Sequence, residues 1–365
     1  MKLNTNLVLI TGPLGWPGAR LVEALLHGLP GHPALAQPQP DLRIRCLAQP
    51  GQDFLPLAKS SDRIRVVVGD LRRAQDCVRF CDGAKGAVLF HCASVRHPRW
   101  SREFCQVNCA GTTALLEAAV KAGVRRVVAV SHAAACGGRV QPDLVLDEAS
   151  PCQPRDAFGR SMLGLEQAVA ARKGELETVI LRVPQSYGLK PPAPDASLLQ
   201  RLLEGQPVFA GTGAQLRSLA FLDNVCQGLL LAAATPRAAG QHYWIADRPP
   251  GPAREVAATF DRLLEKEFGR KPAPRRPLSP AVCTAAGALT TTLQTVGLAV
   301  PRLADLAALG LSLACTVAKA EKELGYRPAI GLEDGLRRSL RAWTEAAPAA
   351  TILPSAAAPG TAPPP

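Results

Sequence analysis

The sequence predicts an α/β fold, a doubly wound parallel sheet followed by a smaller C-terminal lobe, and three observations predict it. Short apolar runs recur along the first half of the chain, helical stretches separate most of them, and glycines follow the first run at once. Runs this brief are strands, and strands alternating with helices build a parallel sheet. Residues 6–11 (NLVLIT) form the first strand, and helical periodicity begins at Ala19. The strand pattern returns at residues 42–48, 64–68, 86–91, 126–131 and 178–183, and residues 101–122 are helical. The connection over residues 27–41 is rich in Pro, Gly and Gln and longer than most helix-to-strand loops, so it should bulge at the surface. After residue 188 the composition shifts to loops and helices, with one further strand at 241–246 placed in the second lobe. The expected division is 1–185 for a nucleotide-binding domain, 186–345 for a substrate lobe, and 346–365 for an uncharged Ala/Pro tail too poor in burial to order.

At 365 residues, with 47% apolar and 20% charged residues, the chain can bury two sizeable cores. The net charge of +12 is scattered, with clusters only at 270–276 and 337–341, which reads as a solvated face rather than a nucleic-acid site. The eleven cysteines are an odd count, and the chain runs straight into its first strand with no room for a cleavable signal peptide. Reduced thiols and an intracellular location are expected, in the cytoplasm or on the cytoplasmic face of a membrane. Cys77/Cys81 and Cys105/Cys109 could hold a metal only with two further ligands facing them, so packing cysteines and no metal are expected. Residues 279–300 carry no charge and approach bilayer length, although Thr290, Thr291, Thr292, Gln294 and Thr295 interrupt them. Spanning a bilayer, lying on its surface beside Arg270, Lys271, Arg275, Arg276 and Arg302, and packing within the lobe all stay open.

Gly12, Gly15 and Gly18 fall between a strand and a helix, where glycines let backbone approach a pyrophosphate and the helix start offers unpaired N–H groups. Pro13 and Pro17 each remove one N–H, and losing such a donor costs roughly 1 to 3 kcal/mol. Residues 45–49 (RCLAQ), at the end of the second strand, offer neither an acid for an NAD ribose nor a base for an NADP phosphate at the usual place. NAD and NADP both stay open, with binding weakened or lost.

These residues resemble the extended short-chain dehydrogenase/reductase family, from about residue 6 to residue 343. Residues 69–71 (GDL) resemble its adenine-contacting turn, 91–94 (HCAS) its fourth-strand motif, and 108–112 (NCAGT) its central-helix Asn and glycine. The resemblance implies a Rossmann-type sheet with cofactor contacts at Gly12, Gly15, Gly18, Asp70, Leu71, Ala93 and Asn108. Residues 240–247 (GQHYWIAD) are similar to a segment of the 3β-hydroxysteroid dehydrogenase and sterol dehydrogenase branch, and 221–225 (FLDNV) and 324–328 (LGYRP) to two later motifs. That branch implies a steroid-like apolar ligand, a membrane-associated insertion near residue 279, and a homo- or heterodimer through the helices at 101–122 and 158–172. Arg217 sits where sugar-nucleotide relatives use an Arg on a substrate phosphate.

The family's chemistry needs a Tyr hydroxyl to move a proton, a Lys four residues later on the same helix face, and a Ser hydroxyl on the carbonyl. In the helix resembling its YxxSK segment, residues 156–166 (DAFGRSMLGLE), Phe158 and Met162 stand at the Tyr and Lys positions. Pro191, Asp247 and Ile330 lie four residues after the three tyrosines, so no YxxxK occurs. Residues 131–137 (SHAAACG) put His132 at the Ser position, with Ser131 one residue early and facing the other side of the strand. Losing general acid–base catalysis alone costs about 10²- to 10⁴-fold in rate. Three readings follow: a non-catalytic nucleotide- or lipid-binding or regulatory relative, an active oxidoreductase on a 3β-hydroxysteroid or similar alcohol rebuilt around His132, and a structural partner of an active homologue.

Overall fold

The computed structural model describes residues 3–29, 31–32, 35–141, 143–188, 198–247 and 249–346. The tail expected at 346–365 lies outside these from residue 347 on, as do three positions of the 27–41 connection. The strands among the described residues are β1 (Leu7–Thr11), β2 (Arg43–Ala48), β3 (Ile64–Val68), β4 (Val88–His91), β5 (Arg126–His132), β6 (Val145–Leu146), β7 (Glu177–Val183), β8 (Gln185–Tyr187), β9 (Leu216–Arg217), β10 (Leu219–Phe221), β11 (Gln241–Trp244), β12 (Gly251–Pro252) and β13 (Ala314–Cys315).

Seven strands form one parallel sheet in the order β11-β7-β5-β4-β1-β2-β3. Both faces are covered, which is why the strands read as continuous apolar runs. Along β1, Val8 and Ile10 pack into one layer with helices Trp16–His27 and Leu222–Ala234. Leu9 packs into the other, with helices Ala74–Cys81, Thr112–Lys121 and Ala157–Ala170. Strand order reverses between β1 and β4, and that reversal opens a crevice at the carboxyl ends of the strands.

One finding departs from the sequence reading, and a second narrows the alternatives it left open. First, β11 is not part of the second lobe: Gln241 pairs with Val179, and the strand extends the main sheet beyond β7. Tyr243, Trp244, Ile245 and Ala246 are all buried, and only the two-faced main sheet supplies that much cover. Second, residues 279–300 do not make one long helix. Helix Pro280–Thr295 stops after 16 residues, Gly297 turns the chain at φ +87°, and helix Pro301–Ala308 packs back against it. No helix among the described residues is long and apolar enough to cross a membrane.

The second lobe has its own core, built around Phe260, Leu202 and Leu340 on helices Ala253–Phe268, Leu198–Leu203 and Leu332–Ala346. The long helix opposite β4 and β5 is not uniform. Helix Arg102–Phe104 passes into a π-helical stretch, Cys105–Gly111, before helix Thr112–Lys121. Such widened turns are frequent at functional sites.

Candidate ligand-binding site

At the carboxyl end of β1, Gly12 adopts φ +67°, and a Cβ there would lie 2.8 Å from the Cα of Ala93. A Cβ on Gly18 would meet the Gly12 carbonyl oxygen at 2.1 Å, so both glycines are demanded by backbone approach. Gly15 caps helix Trp16–His27, and its Cβ would meet only the Gly12 carbonyl, at 3.4 Å, leaving that corner open. Pro17 occupies the first helical turn, a position proline tolerates, but it contributes no N–H there. An anionic group can therefore approach a helix start that has one donor fewer than it could have.

The neighbouring positions are more committed. Asp70 accepts from Arg72 at 2.6 Å, its N–H donates to Asp76 Oδ2 at 2.9 Å, and the Arg72 guanidinium holds its carboxyl below the usual range. Leu71 is buried in the core. Arg45 turns away from the end of β2 and donates to the carbonyls of Phe80 and Asp82. Asn108, in the π-helical stretch, pairs with both backbone groups of Val95 at 2.8 and 3.1 Å and donates to Ser161 Oγ at 2.9 Å. It fixes the loop after β4 against helix Ala157–Ala170. His91 bridges Thr11 and Thr112 hydroxyls at 2.8 Å each, and burial lowers its pKa to about 4.

His132 ends β5, and its Nδ1 accepts the Ala134 N–H at 3.0 Å. Nε2 lies 3.2 Å from Arg96 Nη1, which can only donate, so N–H donors face both ring nitrogens. Burial, and then the Arg96 cation, push this imidazole well below its ordinary pKa, so the ring is neutral. Ser131, on the opposite face of the strand, donates at 2.6 Å to Glu166, which a buried Arg182 also holds at 2.8 Å. Phe158 and Met162 are 9% and 1% exposed and share one apolar cluster with Leu165 and Ala135. The Phe158 ring lies 5.2 Å from His132 and 5.9 Å from Phe104, and the Arg96 guanidinium sits 5.5 Å above it.

His132, Phe158 and Arg217 line one cavity of about 640 Å³, while Met162 lies behind its wall. Helices Pro280–Thr295 and Pro301–Ala308 form a lid over it, presenting Cys283, Ala288, Ala304 and Leu309 inward. The lid is tied down at both ends. Gln294 Oε1 accepts the Ala157 N–H at 2.8 Å, the Ser101 N–H donates to the Gly297 carbonyl at 2.9 Å, and Arg96 pairs with Asp305 at 3.4 Å. Among the described residues, Arg96, Arg155, Arg201 and Arg217 face the cavity against two carboxylates, of which Asp156 caps its own helix through the Gly159 N–H and Asp305 faces Arg96. Arg217 donates to the Ala308 carbonyl, and burial, then Arg201, lower its pKa to about 10.

No tyrosine lines the cavity. The hydroxyls of Tyr187, Tyr243 and Tyr326 donate elsewhere, to Asp247, Glu323 and the Ala246 carbonyl. No described lysine lines it either, and no group of three or more metal-ligating side chains occurs among the described residues. Sequence reasoning missed Arg96, Asp305 and Gln294; the basic run at residues 96–99 beside the fourth-strand motif is the one local signal for Arg96.

Residues 8–246 match the model of the NAD dependent epimerase/dehydratase family. The chain is 38% identical to the uncharacterized protein y4nL of Sinorhizobium fredii, over 93% of this chain and 96% of that one. It is 28% identical to the 3 beta-hydroxysteroid dehydrogenase/Delta 5-->4-isomerase of Mycobacterium tuberculosis, over 93% and 91%. Among solved structures it is similar to the dTDP-glucose 4,6-dehydratase DesIV of Streptomyces venezuelae with NAD bound, at a TM-score of 0.70 and 26% identity, over 93% and 97% of the two chains.

Proposed function

The chain belongs to the NAD dependent epimerase/dehydratase family, as an extended short-chain dehydrogenase/reductase related to the 3β-hydroxysteroid dehydrogenases, and from that premise we propose that it binds rather than converts its ligand. In this reading it holds NAD(H) in the glycine cradle and a steroid-sized amphipathic molecule under the lid. Bound nicotinamide would supply a hydride donor or acceptor, but Phe158 and Met162 supply no proton relay at the positions where the family carries one.

The observation that carries this reading is the packing at residues 158 and 162. Where the family's proton donor stands, Phe158 is pressed between His132, Phe104 and the Arg96 guanidinium; where its ammonium stands, Met162 is sealed in the core. With every tyrosine hydroxyl engaged elsewhere, no phenol can substitute from another position. His132 cannot take over. N–H donors of Ala134 and Arg96 face its two ring nitrogens, and of the described carboxylates on the cavity Asp156 caps its own helix and Asp305 pairs with Arg96, so each of these candidate bases is already engaged.

The ligand class follows from the cavity. An apolar lid over a wall with four arginines favours a hydrophobic body with an acidic or oxygen-rich end, placed towards Arg201 and Arg217. Arg217, its pKa lowered by burial, regains stabilisation from an anion. The lid's outer face leaves Val282, Leu289 and Val296 exposed at 47%, 48% and 68%, a surface suited to collecting such a ligand from a membrane.

Calorimetric titration with NAD(H) and NADP(H), followed by hydride-transfer assays on 3β-hydroxysteroids, tests the reading. Saturable dinucleotide binding with no turnover is expected. Turnover by the native chain overturns it in favour of a rebuilt active site, and absence of any dinucleotide binding overturns it in favour of a purely structural partner.

A further inference from the structure

We propose that Cys136 and Cys152 form a thiol–disulfide exchange site whose co-reactant is a small peptide disulfide. The two Sγ atoms lie 2.9 Å apart, Cys136 buried and Cys152 partly open to solvent. Their backbones are held together independently of the sulfurs. The Cys136 carbonyl accepts the Gln153 N–H at 3.0 Å and Arg139 Nη1 at 2.8 Å, while Arg139 Nη2 reaches the Pro151 carbonyl at 2.6 Å. Gly137, at φ +71°, brings the two segments so close that a Cβ there would lie 2.0 Å from the Gln153 carbonyl oxygen. The segments are therefore already in place, and the two sulfurs have to close only from 2.9 Å to a bond of about 2.05 Å.

The division of labour follows from exposure and charge. Cys152 is the partly exposed member, and its contact with Cys136, with Arg182 and Arg139 assisting, lowers its thiol pKa against the opposing effect of burial, while that same contact and burial push Cys136 up. Cys152 is thus the attacking thiolate. It attacks one sulfur of the small disulfide, that S–S bond breaks, and the first small thiolate leaves and takes a proton from solvent. A mixed disulfide remains on Cys152. The Cys136 sulfur then attacks Cys152 Sγ as its proton passes to the second departing thiolate. Two protein thiols are oxidised, one small disulfide is reduced to two thiols, and atoms and electrons balance.

The new bond would close residues 137–151 into a ring. Gly137, Gly138 and Val140 of that ring belong to the cavity wall, and β6 within it pairs with β13 of the second lobe. The state of the two sulfurs thereby sets how freely one wall of the cavity moves.

The test equilibrates the native full-length chain with buffers of reduced and oxidised glutathione, quenches with acid, alkylates and maps peptides by mass spectrometry. A Cys105→Ser background removes the exposed thiol. Expected are the concerted loss of two alkylatable thiols and a cross-linked peptide joining Cys136 to Cys152. Cys136→Ser should accumulate a glutathione adduct on Cys152, and Cys152→Ser should leave Cys136 reduced. The proposal fails if Cys136 and Cys152 of the otherwise native chain stay alkylatable in fully oxidised glutathione, a result independent of whether either variant folds. A cross-link between any other pair, with these two reduced, overturns it as well.

Discussion

Met162→Lys reinstates the residue type that the family carries on this helix, and the structure predicts that it harms the protein. Residue 162 is 1% exposed in an apolar cluster, and the carboxylate one turn along its helix, Glu166, is already held by Ser131 and Arg182, so an ammonium there has no free partner. A fully buried lysine has its pKa driven to roughly 5 or 6, against about 10.4 in the unfolded chain. Because the folded state then binds fewer protons than the unfolded one, the penalty is largest at low pH and falls as pH rises towards 10.4. Between those limits the cost is set by the distance from pH to 10.4, giving roughly 4 to 5 kcal/mol near pH 7 and about 2 kcal/mol near pH 9. A large part of a typical domain's stability would be lost at neutral pH. The assay is urea unfolding of Met162→Lys and the size-matched Met162→Leu across that pH range. A difference below about 1 kcal/mol, or one flat with pH, would refute the claim that position 162 is sealed; the ammonium would then be reaching water or an anion, and the site would be open to repair.

Three further outcomes are expected. Gly18→Ala, whose Cβ would meet the Gly12 carbonyl at 2.1 Å, should cost about 1 to 3 kcal/mol and abolish dinucleotide-induced stabilisation in thermal melts; a variant that melts like the native protein and is raised by NAD(H) as much as the native protein is would contradict the packing of the loop. His91, with its pKa lowered to about 4, keeps its contribution above its unfolded pKa near 6.5 and loses it as pH falls towards 4, about 3 kcal/mol in all, so its ring proton resonances should stay flat from pH 7 to about 5; a midpoint near 6.5 refutes this. Arg182→Met leaves the buried Glu166 carboxylate with only the Ser131 hydroxyl and should cost about 3 to 5 kcal/mol by urea unfolding, most of it recovered in the double variant Arg182→Met/Glu166→Met.

The strands of the sheet were legible as short apolar-rich runs, and the signature is fullest in the central strands β1 and β4, whose residues are covered on both faces, while the edge strands β3 and β11 carry Arg65 and Gln241–His242. The partner of β11 was not legible, since apolarity requires cover without specifying which sheet supplies it. The uncharged stretch at 279–300 was legible as unusual, but Gly297 within it was not recognised as the turn that folds two helices back on each other. At the site, the replacements at 132, 158 and 162 could be read by position alone. What surrounds them could not: Arg96 reaches Phe158 and Asp305 from distant parts of the chain, and Arg139 joins Cys136 to Pro151 through side-chain geometry with no periodic trace.

The Gln294 contact has a kinetic consequence. Its side-chain oxygen accepts the Ala157 N–H, one of the orphan donors at the start of the helix bearing Phe158, and its backbone carbonyl accepts from Ser101. Any excursion that lifts the lid therefore strips the Ala157 N–H of its acceptor, with Asp156 still holding the Gly159 N–H, and frees the loop at Ser101 in the same event. Entry and exit of a guest become a small local melting rather than the swing of a hinge. Residence times under the lid should accordingly follow hydrogen-exchange protection of the Ala157 amide, so that the slow clock of the backbone times the traffic through the cavity.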